Sequence, residues 1–211
     1  MKISIIIPYS STSWGVSPSW ALALQQLIIP GRYNIHIIRG LPIDVARNHG
    51  IEHAFKENAD WIFFLDSDII LPPNALVMLL QWKLPIVAGI YPLKRIEDGF
   101  KLNVYKKEGN SYKQMTLEDV PKGHRLLECD AVATGILLVS CDLLRKISKP
   151  YFKWDIYPES EEEGVSEDIF FSEKVKKELG IEIYADTFVR GKHQIGSGVA
   201  VTVEGRLTNI L

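Results

Sequence analysis

Cysteine is nearly absent from this chain of 211 residues, with only Cys129 and Cys141 present. So low a count excludes a disulfide-stapled scaffold and suits a reducing compartment. Long apolar runs are missing as well: none approaches the roughly 18 residues that a membrane-spanning helix requires. The apolar start, Met1 to Pro8, is too short for a secretory signal and carries no small-residue cleavage site. The expectation is a cytoplasmic protein, with peripheral contact at a membrane surface left open. An excess of one charge is also lacking, since 24 Lys and Arg face 26 Asp and Glu for a net charge of −2. That balance gives no nucleic-acid footprint, and the basic clusters at Lys94-Arg95, Lys106-Lys107 and Arg190-Gly191-Lys192 are scattered. No internal repeat occurs. No glycine-rich phosphate loop follows the first apolar run, which argues against a nucleotidyltransferase.

What is present is ordinary globular material, 46% hydrophobic and 24% charged, of a length suited to one domain. The first half alternates short apolar runs with helical patterns, the mark of βαβ units and a largely parallel sheet. Strands are expected at Ile3 to Ile7, Tyr33 to Ile38, Trp61 to Leu65 and Pro85 to Ile90. Helices are expected from Pro18 to about Ile28, from Asp44 (as a cap) to about Lys56, and from Leu71 through Trp82. Beyond Tyr91 the segments Phe100 to Tyr105 and Ser111 to Leu117 read as a hairpin. Ala131 to Val139 is strongly apolar, and a helix from Cys141 should end before Lys149 and Pro150. Ser166 should cap a helix that Gly180 ends, and a strand is expected at Ile181 to Tyr184. The organisation expected is a single domain with a nucleotide-binding half at 1–91, an acceptor-side half at 92–196 and a tail at 197–211.

The sharpest chemical signal is the uncharged run Trp61-Ile-Phe-Phe-Leu65, which ends in Asp66-Ser67-Asp68. A run of this kind reads as a buried strand, and ligands of open α/β sheets bind beyond the carboxyl ends of such strands. Two carboxylates delivered there suit Mg²⁺ or Mn²⁺ held against substrate phosphates. The plain alternative is a strand ending in a polar turn. Tyr9, Ser10, Asp44, Arg47 and Asn48 also fall at strand ends or helix starts. A guanidinium at a helix N-terminus suits a phosphate, although Asp44 and Arg47 could equally be a local cap and ion pair. His193 lies among glycines and cations and could complete a carboxylate-rich metal site. Asp168, at the opening of a helix, could be a general base or a partner of the helix dipole.

The order of these pieces carries more than any one of them. A first strand ending in Pro8-Tyr9-Ser10 is followed by Asp44-Val-Ala-Arg47-Asn48, Phe64-Leu-Asp66-Ser-Asp68 and Asp130-Ala-Val-Ala-Thr-Gly135. Pro150-Tyr-Phe, Ser166-Glu-Asp168 with Phe170-Phe171, and Tyr184-Ala-Asp186 with His193 complete the series. Over about residues 3 to 196 this resembles the GT-A glycosyltransferases, especially the family 2-like enzymes that use nucleotide-activated sugars. The resemblance implies a Rossmann-like, mostly parallel central sheet flanked by helices, with a mixed, partly antiparallel acceptor side. It implies a nucleotide-sugar donor, a divalent cation (Mn²⁺ or Mg²⁺), and an acceptor hydroxyl on a glycan, lipid, protein or small molecule.

By position, the resemblance makes Asp68 the direct metal ligand, with Asp66 nearer the ribose or sugar and also counted among the metal-site residues. His193 matches a downstream histidine that adds a ligand in some members. Pro8, Tyr9, Ser10, Asp44 and Arg47 fall where members bind the nucleotide, and Gly135 where backbone approaches the donor sugar or acceptor. Asp168 matches the carboxylate that deprotonates the acceptor in inverting members. Lys192 or Arg190 would add a cation at the diphosphate, and the loop from Trp154 to Val165 would act as a lid. The chain departs from the pattern in having no acidic residue in Tyr9 to Thr12. Two other readings stand beside this one. A haloacid dehalogenase-type phosphatase also places Asp-x-Asp after an apolar strand, though near its N-terminus, and a non-catalytic nucleotide-sugar-binding protein would share the motifs.

Overall fold

The computed structural model describes residues 1–10, 15–94, 100–123, 125–156, 164–196 and 198–210. Ser11, Thr12, Arg95, His124 and the greater part of the expected lid, residues 157–163, lie outside the described residues.

Strand β1 (Lys2–Tyr9) owes its form to Ile3, Ile5, Ile6 and Ile7, stiff β-branched side chains that pack on a pleated surface. All four are essentially fully buried. Helix α1 (Pro18–Gln26) opens as expected, with Ser17 accepting the Trp20 N–H at 3.1 Å. Strand β2 (Arg32–Arg39), helix α2 (Ile43–Lys56) and strand β3 (Trp61–Leu65) follow. Asp44 does not cap α2. The cap position is Pro42, which makes no side-chain capping bond, and Asp44 lies within the first turn. Strand β4 (Ile69–Ile70), helix α3 (Ala75–Leu80) and strand β5 (Ile86–Ile90) come next. Helix α3 is shorter than expected because Pro72 and Pro73 supply no amide hydrogens and the chain enters the helix only at Asn74.

The hairpin forms as β6 (Lys101–Glu108) and β7 (Ser111–Thr116). Beyond them lie β8 (Leu126–Cys129), β9 (Ala131–Val132) and β10 (Ile136–Ser140). The apolar stretch from Ala131 to Val139 is therefore two strands broken around Thr134-Gly135. Helix α4 (Cys141–Leu144) is a single turn where a longer helix was expected. Strands β11 (Asp155–Ile156) and β12 (Gly164–Val165) pair antiparallel. Helix α5 (Glu167–Leu179) begins at the Ser166 cap and ends at Gly180, whose φ of +64° is the left-handed conformation glycine adopts freely. Strands β13 (Ile183–Arg190), β14 (Lys192–Gly196), β15 (Val199–Val201) and β16 (Leu207–Asn209) close the chain.

Seven strands form the main sheet in the order β2-β1-β3-β10-β5-β13-β8. The expectation of a mostly parallel sheet is corrected. Three neighbouring pairs are parallel (β1–β2, β1–β3 and β5–β13) and three antiparallel (β3–β10, β5–β10 and β8–β13). Strand β10 enters between β3 and β5 running the opposite way, and its Ile136, Leu137, Leu138 and Val139 are wholly buried. Apolar side chains pack on both faces. Ile6, Phe64 and Leu137 join Phe152 and Phe171 on one side, while Ile5, Phe63 and Leu138 join Trp20 and Leu76 on the other. Each such large side chain contributes about 1.5–3 kcal/mol on burial.

A second sheet, β16-β15-β14-β4, places His193 opposite Ile69 in register. The segment expected as a tail thus supplies two strands that extend the sheet carrying His193. A third sheet, β7-β6-β9, stands beside the main one. No helix among the described residues is long and apolar enough to cross a membrane.

Candidate active site

Strands β1, β2 and β3 run parallel, so their carboxyl ends open on one side. There Pro8 and Tyr9 of β1 with Ser10 beyond it, Gly40 to Pro42 of the β2–α2 turn with Ile43 at the start of α2, and Asp66 to Asp68 line a cleft of about 490 Å³. A second cleft of about 430 Å³ is lined by Tyr9, Ser10, Val16, Asp68, Lys94 and Gln194 among others. Asp68 and Ser10 belong to both.

Asp66 and Asp68 are one residue apart and face different surroundings. The Asp66 N–H donates to Gly135 O at 3.1 Å and its carbonyl accepts from Trp20 Nε1 at 3.0 Å. Its carboxylate turns inward, 3.2 Å from Arg47 Nη2. Burial lifts its pKa above the ordinary aspartate range, an effect that Arg47 only partly offsets. Asp68 turns to the cleft, where Lys94 Nζ lies 2.5 Å and His193 Nε2 3.5 Å from Oδ2. Burial again works against the charge, but hydrogen bonds from His193 and Lys94 prevail and hold the group down to about 2.

Behind Asp66, Arg47 gathers three carboxylates. Nη1 donates to Glu167 Oε1 and, at 2.7 Å, to Asp168 Oδ1, while Nη2 serves Asp66. Burial opposes the guanidinium's charge, and Asp168, Asp66 and Glu167 outweigh it, so its pKa stands above the ordinary arginine value. Arg47 is only 2% exposed. Glu167 is pushed up to about 7 by burial and then by repulsion from Asp168, with Arg47 acting the other way. Asp168 Oδ1 also accepts from Thr134 Oγ1 at 2.6 Å and Thr134 N at 3.2 Å. All three donors reach Oδ1. Among the described residues Oδ2 receives none, which leaves it open to a ligand.

Packing fixes this arrangement. Asn48, one residue after Arg47, clasps the 151–152 backbone, donating to Phe152 O at 2.7 Å and accepting from Tyr151 N and Phe152 N. Phe152 in turn stacks on Phe171 of α5, ring centroids 4.5 Å apart. Tyr91 accepts the Gly135 N–H at 3.1 Å and meets the His193 ring edge-on. A side chain at Gly135 would force its neighbours to shift. A Cβ there would lie 2.6 Å from Tyr91 Oη and 2.9 Å from Asp66 Oδ2.

The structure brings together Asp66, Asp68, His193, Gly135, Arg47 and Asp168, and Pro8, Tyr9 and Ser10 line the adjoining cleft. It treats three expectations differently. Arg47 directs both terminal nitrogens to carboxylates, so its place is that of a buried clamp on acids and not a phosphate ligand. Asp44 lines neither cleft, although its neighbour Ile43 does. Lys192 precedes His193 in β14, and strand alternation turns the two side chains to opposite faces. Lys192 lines neither cleft, and Arg190 is bound to Glu204 at 2.6 Å. Lys94, Tyr91, Thr134 and Glu167 are members of the site that sequence reading did not assign. Glu167 carried a signal in standing beside Asp168. For Tyr91 and Thr134 the only signal was proximity in sequence to strand ends.

Among the described residues no three His, Cys, Asp or Glu side chains form a closed metal cage. Asp68 and His193 nonetheless suit a hard divalent cation shared with substrate. His193 Nδ1 lies 2.7 Å from Pro92 O, which can only accept, so Nδ1 carries a proton. His193 Nε2 then faces the Asp68 carboxylate, 3.5 Å from Oδ2, a spacing at which an imidazole nitrogen and a carboxylate oxygen can share a divalent cation. The ammonium of Lys94 against the same oxygen marks the position as one that takes positive charge. Mg²⁺ and Mn²⁺ are commonly held by one or two protein groups, with water and phosphate oxygens completing the shell.

No family model matches the chain, and no curated protein matches it. Solved structures do resemble it. The protein A197 from STIV superposes with a TM-score of 0.65 over 99% of this chain and 94% of its own, at 19% identity. At that identity the likeness shows a shared fold. Residues 1–349 of TarS from S. aureus, solved in complex with UDP-GlcNAc, give a TM-score of 0.47 at 12% identity. That match covers 89% of this chain and 58% of TarS, and a likeness at this level bears on neither fold nor function. The large mixed sheet flanked by helices is compatible with a Rossmann-like fold.

Proposed function

We propose that the protein is a metal-dependent glycosyltransferase of GT-A type, moving a sugar from a nucleoside-diphosphate sugar to an acceptor hydroxyl. One observation carries this reading: Asp66 and Asp68 line an open cleft where parallel strands β1 and β3 end, with His193 against Asp68 and Asp168 joined to Asp66 through Arg47. In this reading the cleft between the β1 end and the β2–α2 turn takes the nucleotide, with Pro8, Tyr9 and Ser10 as its floor. Asp68 and His193 would hold the cation. When bound, that ion supplies the positive charge that the diphosphate leaving group requires as the anomeric C–O bond breaks.

Asp168 accepts the acceptor's proton through Oδ2, the oxygen opposite the one that Arg47 and Thr134 hold. An oriented carboxylate with one open oxygen is what general-base catalysis needs. Arg47 positions it, and through Asp66 ties the base to the strand that bears the metal-binding acid. Gly135 lets backbone pass close to Asp66 and Tyr91.

Calorimetric titration with UDP, GDP, CDP and their sugar conjugates, with and without Mn²⁺, tests this proposal. One nucleotide should bind, and only with the metal. Failure of all of them, together with release of phosphate from a simple monoester, would favour a phosphatase. Metal-dependent binding with no turnover on any acceptor would favour a nucleotide-sugar-binding protein.

A further inference from the structure

The two edges of the main sheet differ. Strand β8 is four residues long and carries the exposed Glu128. Strand β2 is eight residues long and, among the described residues, pairs only with β1. On β2, Tyr33, Ile35 and Ile37 are 50%, 40% and 61% exposed and stand on one face. Protein edges of this length are normally blunted by charge, proline or a bulge. Between Tyr33 and Ile38 this strand has no proline, lysine, arginine or acid, and its register with β1 is unbroken over eight pairs.

We infer that β2 is a self-association edge, on which a second copy of this chain docks its own β2 antiparallel about a two-fold axis at Ile35. Backbone polarity and side-chain pattern agree on that register. Arg32 N–H donates to Met1 O and Gly40 N–H to Tyr9 O, so the even-numbered residues of this stretch direct their amides to β1. Alternation therefore turns the N–H and C=O of Tyr33, Ile35 and Ile37 to the open side. A two-fold antiparallel pairing must set outward residues against outward residues. Centred on Ile35, it pairs Ile35 with Ile35 and Tyr33 with Ile37 twice, placing the whole apolar stripe against itself.

Charges fit the same register. Arg32 then faces Ile38 and Arg39 faces Gly31, so no like charges oppose each other. On the other face Asn34 meets the second copy's His36. Asn34 and His36 both bond Glu57 within one chain, the latter at 3.2 Å, so each Glu57 acquires a second imidazole nearby. A slip by one residue would oppose Arg32 to Arg39 and would also point outward amides at inward ones. A slip by two would set Arg39 against Tyr33 and keep only Ile35 and Ile37 paired with each other. The edge is about 26 Å long at ~3.3 Å per residue, and with ~10 Å of packed layer on either side it offers on the order of 500 Å² per copy. A standard stable interface needs about 800 Å², so the dimer is weak and reversible.

The test uses the full chain and is independent of any sugar nucleotide. In an antiparallel hydrogen-bonded pair the Cα atoms lie about 5.5 Å apart, a spacing that a disulfide spans. Ile35→Cys should therefore cross-link to a covalent dimer under mild oxidant, while Tyr33→Cys, well away from its own copy, should not. The native Cys129 and Cys141 are buried and stay out of the reaction. Sedimentation velocity over a concentration series should show reversible dimerisation of wild type, weakened at least about tenfold by Ile35→Lys, which opposes two ammonium groups on the axis. All three substitutions fall on exposed side chains, and an unchanged melting temperature checks that the fold is intact. Equal cross-linking at positions 33 and 35 would overturn the register. A wild type that stays monomeric, with no cross-link at position 35, would overturn the proposal and leave the edge to a strand from another protein.

Discussion

Asp66 and Asp68 are separated by one serine, yet they belong to two unlike regions. The inner region is a closed cluster in which one guanidinium serves Asp66, Glu167 and Asp168, and burial raises the pKa values of Asp66 and Glu167. The outer region is an open mouth where Asp68, His193 and Lys94 surround one oxygen and hold that carboxyl down to about 2. The difference shows how a single strand end serves two purposes. The inner cluster is built to position, because its side chains hold one another through Arg47. The outer one is built to receive, because the cation now against Asp68 is the half-exposed Lys94, which a metal ion can replace.

The contrast breaks most severely at Arg47. Arg47→Met leaves Asp66, Glu167 and Asp168 without their common cation, and removal of one partner from a buried ion cluster costs about 3–5 kcal/mol. At ~2–4 °C per kcal/mol for a chain of this size, calorimetry should record a fall in Tm on the order of 10 °C. Arg47→Lys should fall between, since one ammonium cannot span the three acids.

Next in size is Gly135→Ala. Its methyl would press on Tyr91 Oη and Asp66 Oδ2 at once, and crowding of this kind costs about 1–3 kcal/mol. Denaturant titration should show that loss, and metal-dependent donor binding should weaken as Asp66 shifts.

Glu167 sharpens the comparison through pH. Its folded pKa of about 7 lies above the ordinary glutamate value, so the native state holds the proton more tightly than the unfolded chain. The stability this contributes is complete below about pH 4.3, the unfolded value, and is lost as pH rises through about 7. Tm measured from pH 5 to 7.5 should fall less steeply for Glu167→Gln than for wild type, and the variant should be the more stable at pH 7.5. The smallest effect belongs to the outer region. Lys94 is half exposed, so Lys94→Ala should change stability by less than about 1 kcal/mol, yet it should tighten Mn²⁺ binding by freeing Asp68 of a competing cation.

How much of this was legible in the chain follows the same division. Asp66 and Asp68 could be read because an uncharged buried run ends abruptly at them, and Asp168 because a serine cap announces its helix. The Arg47 cluster could not be read. Its contacts span 120 and 121 residues, and local spacing gives only a helix-terminal arginine with a choice of partners. The direction of β10 was equally hidden, since Ile136 to Val139 would look the same buried in either orientation between β3 and β5. The break in that apolar stretch at Thr134-Gly135 is explained by what it approaches: Asp168 on one side, Asp66 and Tyr91 on the other. The misplacement of Lys192 was avoidable, because strand alternation alone sends it away from His193.

The central claim is that the outer region binds the donor with its metal and the inner region carries the base. Its most direct test measures Mn²⁺-dependent binding of the sugar nucleotide and transfer to acceptor on two variants side by side. Asp68→Ala should lose metal-dependent binding while remaining folded. Asp168→Asn should keep that binding and lose transfer by about 10²–10⁴-fold, the range general-base catalysis supplies. Loss of donor binding in Asp168→Asn, or full metal-stimulated turnover in Asp68→Ala, would contradict the division of labour between the two regions.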